Sequence, residues 1–225
     1  MQRRLVLASA PALLWLRPAW ALNLTEGDAN AGIRTALERG ANAAVSLLGR
    51  QDGFLGNPLV KIELPGYLKD AAKLLRATGQ GARLDELVTA MNRAAEAAVP
   101  AAKPLLVNAV KSMSVEDGLK ILRGGDESVT EFFAGKTREP LHAQFLPIVT
   151  QATQKVSLAD KYNAVAKKAS GFGLVRGDDA NIQQYVTGKA LDGLYRIIGE
   201  EEKKIRQDPV GTGSAILKKV FGGLK

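Results

Sequence analysis

An apolar stripe running from Leu84 to Met113 sets what this chain can fold into. Leu84, Leu87, Val88, Met91, Ala95, Ala98, Ala102, Leu105, Ala109 and Met113 recur at intervals of three and four, which places them on one face of an α-helix. A strand cannot use that spacing, because its side chains alternate between two faces. Pro100 and Pro104 fall inside the stripe, and each lacks the N–H that a helical ladder needs. The stripe therefore predicts two helices, or one kinked helix, with a continuous buried face. Its alanines let a neighbouring helix approach closely, and core packing is favoured over a ligand groove.

The rest of the chain carries the same period. Ile33, Ala36, Leu37, Ala41, Ala44, Val45 and Leu48 share a helical face that Gly49 ends, and Tyr67 to Thr78 forms a second helix closed by Gly79 and Gly81. Ser114-Val115-Glu116-Asp117 has the form of a capping box, Gly124-Gly125 closes the helix it starts, and Asp126 is placed to cap the next. A helix containing Pro147 runs through Phe145, Ile148, Val149 and Ala152. Ser157 to Asp160 repeats the capping form ahead of Tyr162 to Ala169, and Gly171 to Asp179 is a loop. A long helix spans Asn181 to Gln207, and Asp208-Pro209 opens a short last one. The exception is Val60, Ile62 and Leu64, which alternate with Lys61 and Glu63 as in a strand closed by Pro65. A lone strand leaves backbone groups unpaired, and the one similar stretch is Phe172 to Arg176. The expected fold is all-α: a single domain over residues 22–225, of seven to nine helices, with at most a small two-stranded β ribbon.

The first 21 residues read as an export signal. Arg3 and Arg4 supply a basic start, Leu5 to Leu16 a short apolar run, and Ala19-Trp20-Ala21 a cleavage site between small residues. The run is about half the roughly 20 residues of a membrane-spanning helix. The mature chain is expected to begin at Leu22 and to reside in a bacterial periplasm. The chain has no cysteine, so a domain of this size rests on its core rather than on disulfides. Losing Arg3, Arg4 and Arg17 lowers the formal charge of +8 by three. The remaining basic residues are interleaved with Asp and Glu, the pattern of a mixed solvated surface rather than of a nucleic-acid interface.

Composition removes most catalytic chemistries. His142 is the only histidine, and without cysteine no zinc site of nitrogen and sulfur ligands can form. No Gly-x-Ser-x-Gly elbow accompanies it. The glycine pairs at Gly79/Gly81, Gly171/Gly173 and Gly211/Gly213 do not extend to a dinucleotide fingerprint, and the phosphate-loop lysine motif is absent. Asp178-Asp179 lacks the alternating oxygens of a calcium loop. No cofactor or metal is expected. The unusual residue is Glu201, which shares the apolar face of Ile197 and Ile205 in the penultimate helix. A carboxylate in that phase lies either at the rim or buried with a partner; burial needs a cation and hydrogen bonds, and Arg93, which can also form a local pair with Glu96 three residues on, can supply the cation. The candidate ligand-binding or structural polar cluster is therefore Asn92, Arg93 and Glu96 with Lys189, Asp192, Tyr195 and Glu201. Glu200, Glu202, Lys203 and Lys204 are read as a solvated face.

At the C-terminus Ile216, Leu217, Val220, Phe221 and Leu224 lie opposite Lys218, Lys219 and Lys225. This short basic amphipathic segment suits a peripheral membrane contact. One short helix binds membranes weakly, so packing on its own domain is the favoured role.

Four phrases then carry a resemblance. Gly53-Phe54-Leu55-Gly56-Asn57-Pro58-Leu59-Val60-Lys61-Ile62, Met91-Asn92-Arg93-Ala94-Ala95-Glu96, Lys111-Ser112-Met113-Ser114-Val115-Glu116-Asp117, and Lys189-Ala190-Leu191-Asp192-Gly193-Leu194-Tyr195 followed by Glu200 to Arg206 resemble the bacterial domain-of-unknown-function family 4197. The resemblance runs through nearly the whole mature chain and implies an exported, mostly helical protein with no assigned activity. The expected function is a non-enzymatic binding or scaffold protein of the cell envelope, with an envelope protein or a small apolar ligand as partner. The alternatives are a carrier of a lipid or other apolar ligand and a carboxylate-dependent hydrolase. Protein recovered from periplasm is expected to show the mass of a chain starting at Leu22; the mass of the full chain would contradict cleavage after Ala21.

Overall fold

The computed structural model describes residues 26–68, 72–73, 76–79, 81–125, 127–154, 159–160, 162–164, 167 and 181–208. Six α-helices stand among them: α1 (Glu26–Leu48), α2 (Gly81–Ala98), α3 (Ala102–Lys111), α4 (Val115–Arg123), α5 (Ser128–Thr153) and α6 (Ile182–Gln207). The all-α class is as expected, but six is fewer than the seven to nine helices read from sequence. The helices expected over 67–78, over 157–169 and after Asp208 fall wholly or partly outside the described residues, as do the caps assigned to Asp126 and Ser157.

The long stripe is built as its prolines require. Pro100 lies in a 3-10 turn, Val99–Ala101, that joins α2 to α3, and Pro104 sits in the first turn of α3, where a missing N–H has no partner to lose. Leu84, Leu87, Met91, Ala95, Ala98, Ala102, Ala109 and Met113 are all buried. The capping box at Ser114 is also present: the Ser114 hydroxyl accepts from the Asp117 N–H and the Asp117 carboxylate from the Ser114 N–H.

Pro140 and Pro147 do not break α5. The carbonyls they leave without a donor belong to Lys136 and Ala143, both exposed, where water replaces the lost bond. The buried residues of α5 recur strictly every fourth position, Val129, Phe133, Thr137, Leu141, Phe145, Val149 and Thr153. Each such step turns the buried face by about 40°, so α5 meets α2, α3, α4 and α6 in turn. Thr137 and Thr153 stay satisfied in the core by donating to the carbonyls four residues back, at 2.6 and 2.8 Å. On the far side α1 packs against α3, α4 and α6.

The β ribbon is corrected: no strand occurs among the described residues, and its proposed second half, Phe172 to Arg176, lies outside them. The Val60–Leu64 stretch is irregular because helix side chains supply the pairing. The Asn92 amide accepts from the Ile62 N–H at 2.8 Å and donates to the Ile62 carbonyl at 2.9 Å, and the Tyr185 hydroxyl donates to the Glu63 carbonyl at 2.8 Å. The preceding loop packs tightly. A Cβ on Gly53 would lie 2.5 Å from the Leu47 and Leu48 carbonyl oxygens, and one on Gly193 would lie 2.7 Å from the ring of Phe54. Phe54 is fully buried. Gly193→Ala is expected to destabilise the domain by about 1–3 kcal/mol through overpacking, read as a lower urea midpoint; an unchanged midpoint would show that the Phe54 pocket is slack.

Candidate functional site

The predicted polar residues do not form one cluster; the structure divides them among three places. Asn92, Arg93 and Glu96 of α2 hold the loop that follows α1. Glu96 is buried, and one carboxylate oxygen accepts from the Phe54 and Leu55 N–H groups at 3.0 and 3.1 Å. Its other oxygen takes Arg93 at 2.6 Å, and Arg93 also reaches Asp52 at 2.8 Å. Asp52 has φ +62°, the left-handed conformation that starts the loop. Lys189 and Asp192 lie on the outer side of α6 with Arg138 of α5, and Tyr195 is buried beside them. Arg138 pairs with Asp192 at 2.6 Å and lies over the Tyr195 ring, while the Tyr195 and Thr137 hydroxyls are 2.9 Å apart. Burial pushes the Tyr195 hydroxyl above its ordinary pKa.

Glu201 lies at the rim of its apolar face, one of the two positions its phase allows, and Glu202 is the correction. Glu201 is part-exposed and pairs with Lys204 at 2.6 Å, while Arg93 is spent on Glu96 and Asp52. The buried carboxylate of α6 is its neighbour Glu202, which sequence places on a solvated face. Both fit the apolar period, Glu201 one turn from Ile197 and Glu202 one turn from Ile198. The tie is broken by the facing helix: α5 begins without a side-chain cap of its own, and Glu202 supplies one. Its carboxylate accepts from the Val129 N–H at 3.2 Å and lies 3.3 Å from the Ser128 hydroxyl. Arg206 pairs with Glu202 at 2.7 Å and donates to the Ile121 carbonyl and the Ser128 hydroxyl, both at 2.9 Å. One turn of α6 thus closes the end of α4 and the start of α5. Ser128 and Arg206 carry no sequence signal for this role, since each looks like an ordinary helix-end residue.

Between α4 and α5, on the outer side of this clasp, lies a cleft of about 690 Å³. Ile121 and Phe132 give it apolar floor, and Asp117, Lys120, Glu127, Glu131 and Lys136 line its rim. Gly135, in the middle of α5, opens onto it. A Cβ there would meet nothing within 4 Å, whereas Gly118, Gly193 and Gly199 each face an atom of another helix or loop at under 3 Å. A helical glycine costs about 1 kcal/mol relative to alanine, and no contact of Gly135 among the described residues offsets that. The small void beside Glu202 and Arg206 holds about 10 Å³, at the lower limit of the space one water needs. Among the described residues, no group of three or more metal-ligating side chains gathers, and no helix is long and apolar enough to cross a membrane.

Burial outweighs the Arg206 partner and the Ser128 and Val129 donors, so Glu202 titrates above its ordinary value of 4.5. The folded chain therefore holds that proton more tightly than the unfolded one, and stability from this group is full below 4.5 and lost as pH rises through the raised value. Urea unfolding from pH 4 to 8 is expected to show wild type losing stability relative to Glu202→Gln across that window. A difference independent of pH would contradict the burial of an ionising carboxylate.

A model of the family described as protein of unknown function (DUF4197) matches residues 23–222 of the chain. No curated protein and no solved structure matches it.

Proposed function

From the premise that the chain belongs to the DUF4197 family, we propose that it is an exported, periplasmic binding protein of the cell envelope that works without catalysis and presents the α4–α5 cleft to a polypeptide partner. The observation that carries this reading is Gly135: a helix interior that gives up a side chain where nothing among the described residues needs the room makes room for a partner. The cleft around it has the make-up of a recognition surface, with an apolar floor and a charged rim.

The same geometry speaks against the two alternatives. A carrier of an apolar ligand needs an apolar cavity of hundreds of cubic ångströms, and the α4–α5 cleft, which has that volume, is rimmed by the charged Asp117, Lys120, Glu127, Glu131 and Lys136. A carboxylate-dependent hydrolase needs two acidic groups facing one substrate. The buried carboxylates Glu96 and Glu202 are each turned inward, onto the backbone of another segment; of the three carboxylates that line the cleft, Asp117 is engaged in the α4 capping box, and Glu127 and Glu131 are read as rim charges for a partner.

The test is a photo-reactive benzoylphenylalanine placed at Lys120 or Lys136 in the cleft, with Arg196 on the outer side of α6 as the control position. Adducts are expected from the cleft positions alone. The adduct protein, once purified, is expected to bind the mature chain and to lose at least about tenfold affinity, roughly 1.4 kcal/mol, to Gly135→Trp. Gly135→Ala should stabilise α5 by up to about 1 kcal/mol, which separates the loss of binding from any loss of fold. Equal adducts at Arg196, or binding untouched by Gly135→Trp, would overturn the reading.

A further inference from the structure

We propose that the chain has a second binding surface, along Lys61 to Glu63 beside α6, which takes an extended acidic peptide by adding it as a parallel strand. This goes beyond the α4–α5 cleft and shares no residue with it.

The backbone leads there. The N–H and the carbonyl of Ile62 both turn to the Asn92 amide, as both groups of a paired residue turn to its neighbour in a sheet. A trans peptide is planar, so the Lys61 carbonyl points opposite to the Ile62 N–H and the Glu63 N–H opposite to the Ile62 carbonyl. This second edge faces α6, where the Tyr185 hydroxyl donates to the Glu63 carbonyl at 2.8 Å. The Lys61 N–H is also taken, by the Asn57 carbonyl at 2.9 Å. What stays open is one acceptor, the Lys61 carbonyl, and one donor, the Glu63 N–H; among the described residues neither has a partner. In a parallel ladder a single residue meets such a pair, its N–H on the first and its carbonyl on the second. An antiparallel strand would aim two further groups at the occupied Lys61 N–H and Glu63 carbonyl. An open edge of this kind is a template for strand addition.

The surroundings supply room and charge. A cleft of about 290 Å³ lies between this edge and α6. Lys61 is paired with Glu63 at 3.0 Å, but Asp192 is shared by Arg138 at 2.6 Å and Lys189 at 4.0 Å. Two cations thus stand against one acid, and Lys189, held over the Tyr185 ring, has charge left for an acidic side chain. Val60 lies against Gly193 and Glu63 against Tyr185, so a peptide centred opposite Ile62 lies over Tyr185 and Lys189. Arg196, at the far end of the cleft, is two turns of α6 from Lys189, about 10 Å.

The probe is a library of random dodecapeptides displayed on phage and selected on the immobilised mature chain. Selected peptides are expected to be rich in Asp and Glu and to bind Glu63→Gln no more weakly than wild type. They are expected to bind Glu63→Pro, which lacks the open N–H, at least about tenfold more weakly. Proline there removes a donor with no internal partner and asks of Ile62 the extended conformation it already has, so the urea midpoint is expected to hold. Should Glu63→Pro not fold, N-methylation along the peptide reads the same contact from the other side, with one position alone expected to lose about tenfold. Failure to enrich any peptide, equal affinity for Glu63→Pro, or indifference to N-methylation at every position would overturn the proposal. Peptides that lose binding to Gly135→Trp but not to Glu63→Pro would assign peptide binding to the α4–α5 cleft and refute this surface alone.

Discussion

The structure depends on one buried carboxylate. Glu96 accepts from two consecutive backbone N–H groups, of Phe54 and Leu55, while its charge is balanced by Arg93. Without it two buried donors are left unsatisfied, at about 1–3 kcal/mol each, against a total stability of about 5–15 kcal/mol for a domain. The geometry has consequences beyond the loop itself. Phe54, fixed by its own N–H, fills the space that Gly193 leaves on α6, and Asn92 one turn earlier on α2 pairs with Ile62 farther along the same segment. Three residues of one helix thus fasten a stretch of irregular chain to the core and join α1, α2 and α6 through it.

A second clasp repeats the device. Glu202 sits at the start of α5 and Arg206 at the end of α4, the placements that the helix dipole favours for an anion and a cation. Both come from one turn of α6, so a third helix adds its hold to the hydrogen-bonded Gly124-Gly125 turn that joins α4 to α5. That arrangement leaves the outer side of the α4–α5 pair free of core contacts while the inner side is held rigidly. A cleft on a fixed frame, with Gly135 at its centre, is the feature that the binding reading builds on.

Much of this was legible in the sequence. The 3.6-residue period found α1, the α2–α3 stripe and α6, and the capping residue Ser114 marked a helix start that the structure places where expected. Glu96 and Arg93 were identified together. The losses have physical causes. Alternation at Val60, Ile62 and Leu64 pointed to a strand, but an asparagine side chain offers the same donor and acceptor as a strand backbone, and periodicity cannot tell which partner is used. Glu201 and Glu202 differ by one position on a face that both can reach, so the choice belonged to the uncapped start of α5. The strict four-residue period of α5 winds around the helix, which hides its buried face from any reading that assumes one fixed side. The cleft depends on a glycine whose side-chain position meets nothing among the described residues, and a sequence gives no sign of empty space.

Amide hydrogen exchange at Phe54, Leu55 and Ile62 tests most directly the claim that helix side chains take the place of regular pairing in the 52–62 segment. If the account is right, these three N–H groups, although outside any helix or strand, exchange as slowly as the buried helical amides of Met91 and Leu194, because releasing them requires the core to open. Exchange as fast as that of an exposed loop amide such as Leu59 would contradict it and reduce Glu96 and Asn92 to incidental neighbours of a loosely attached loop.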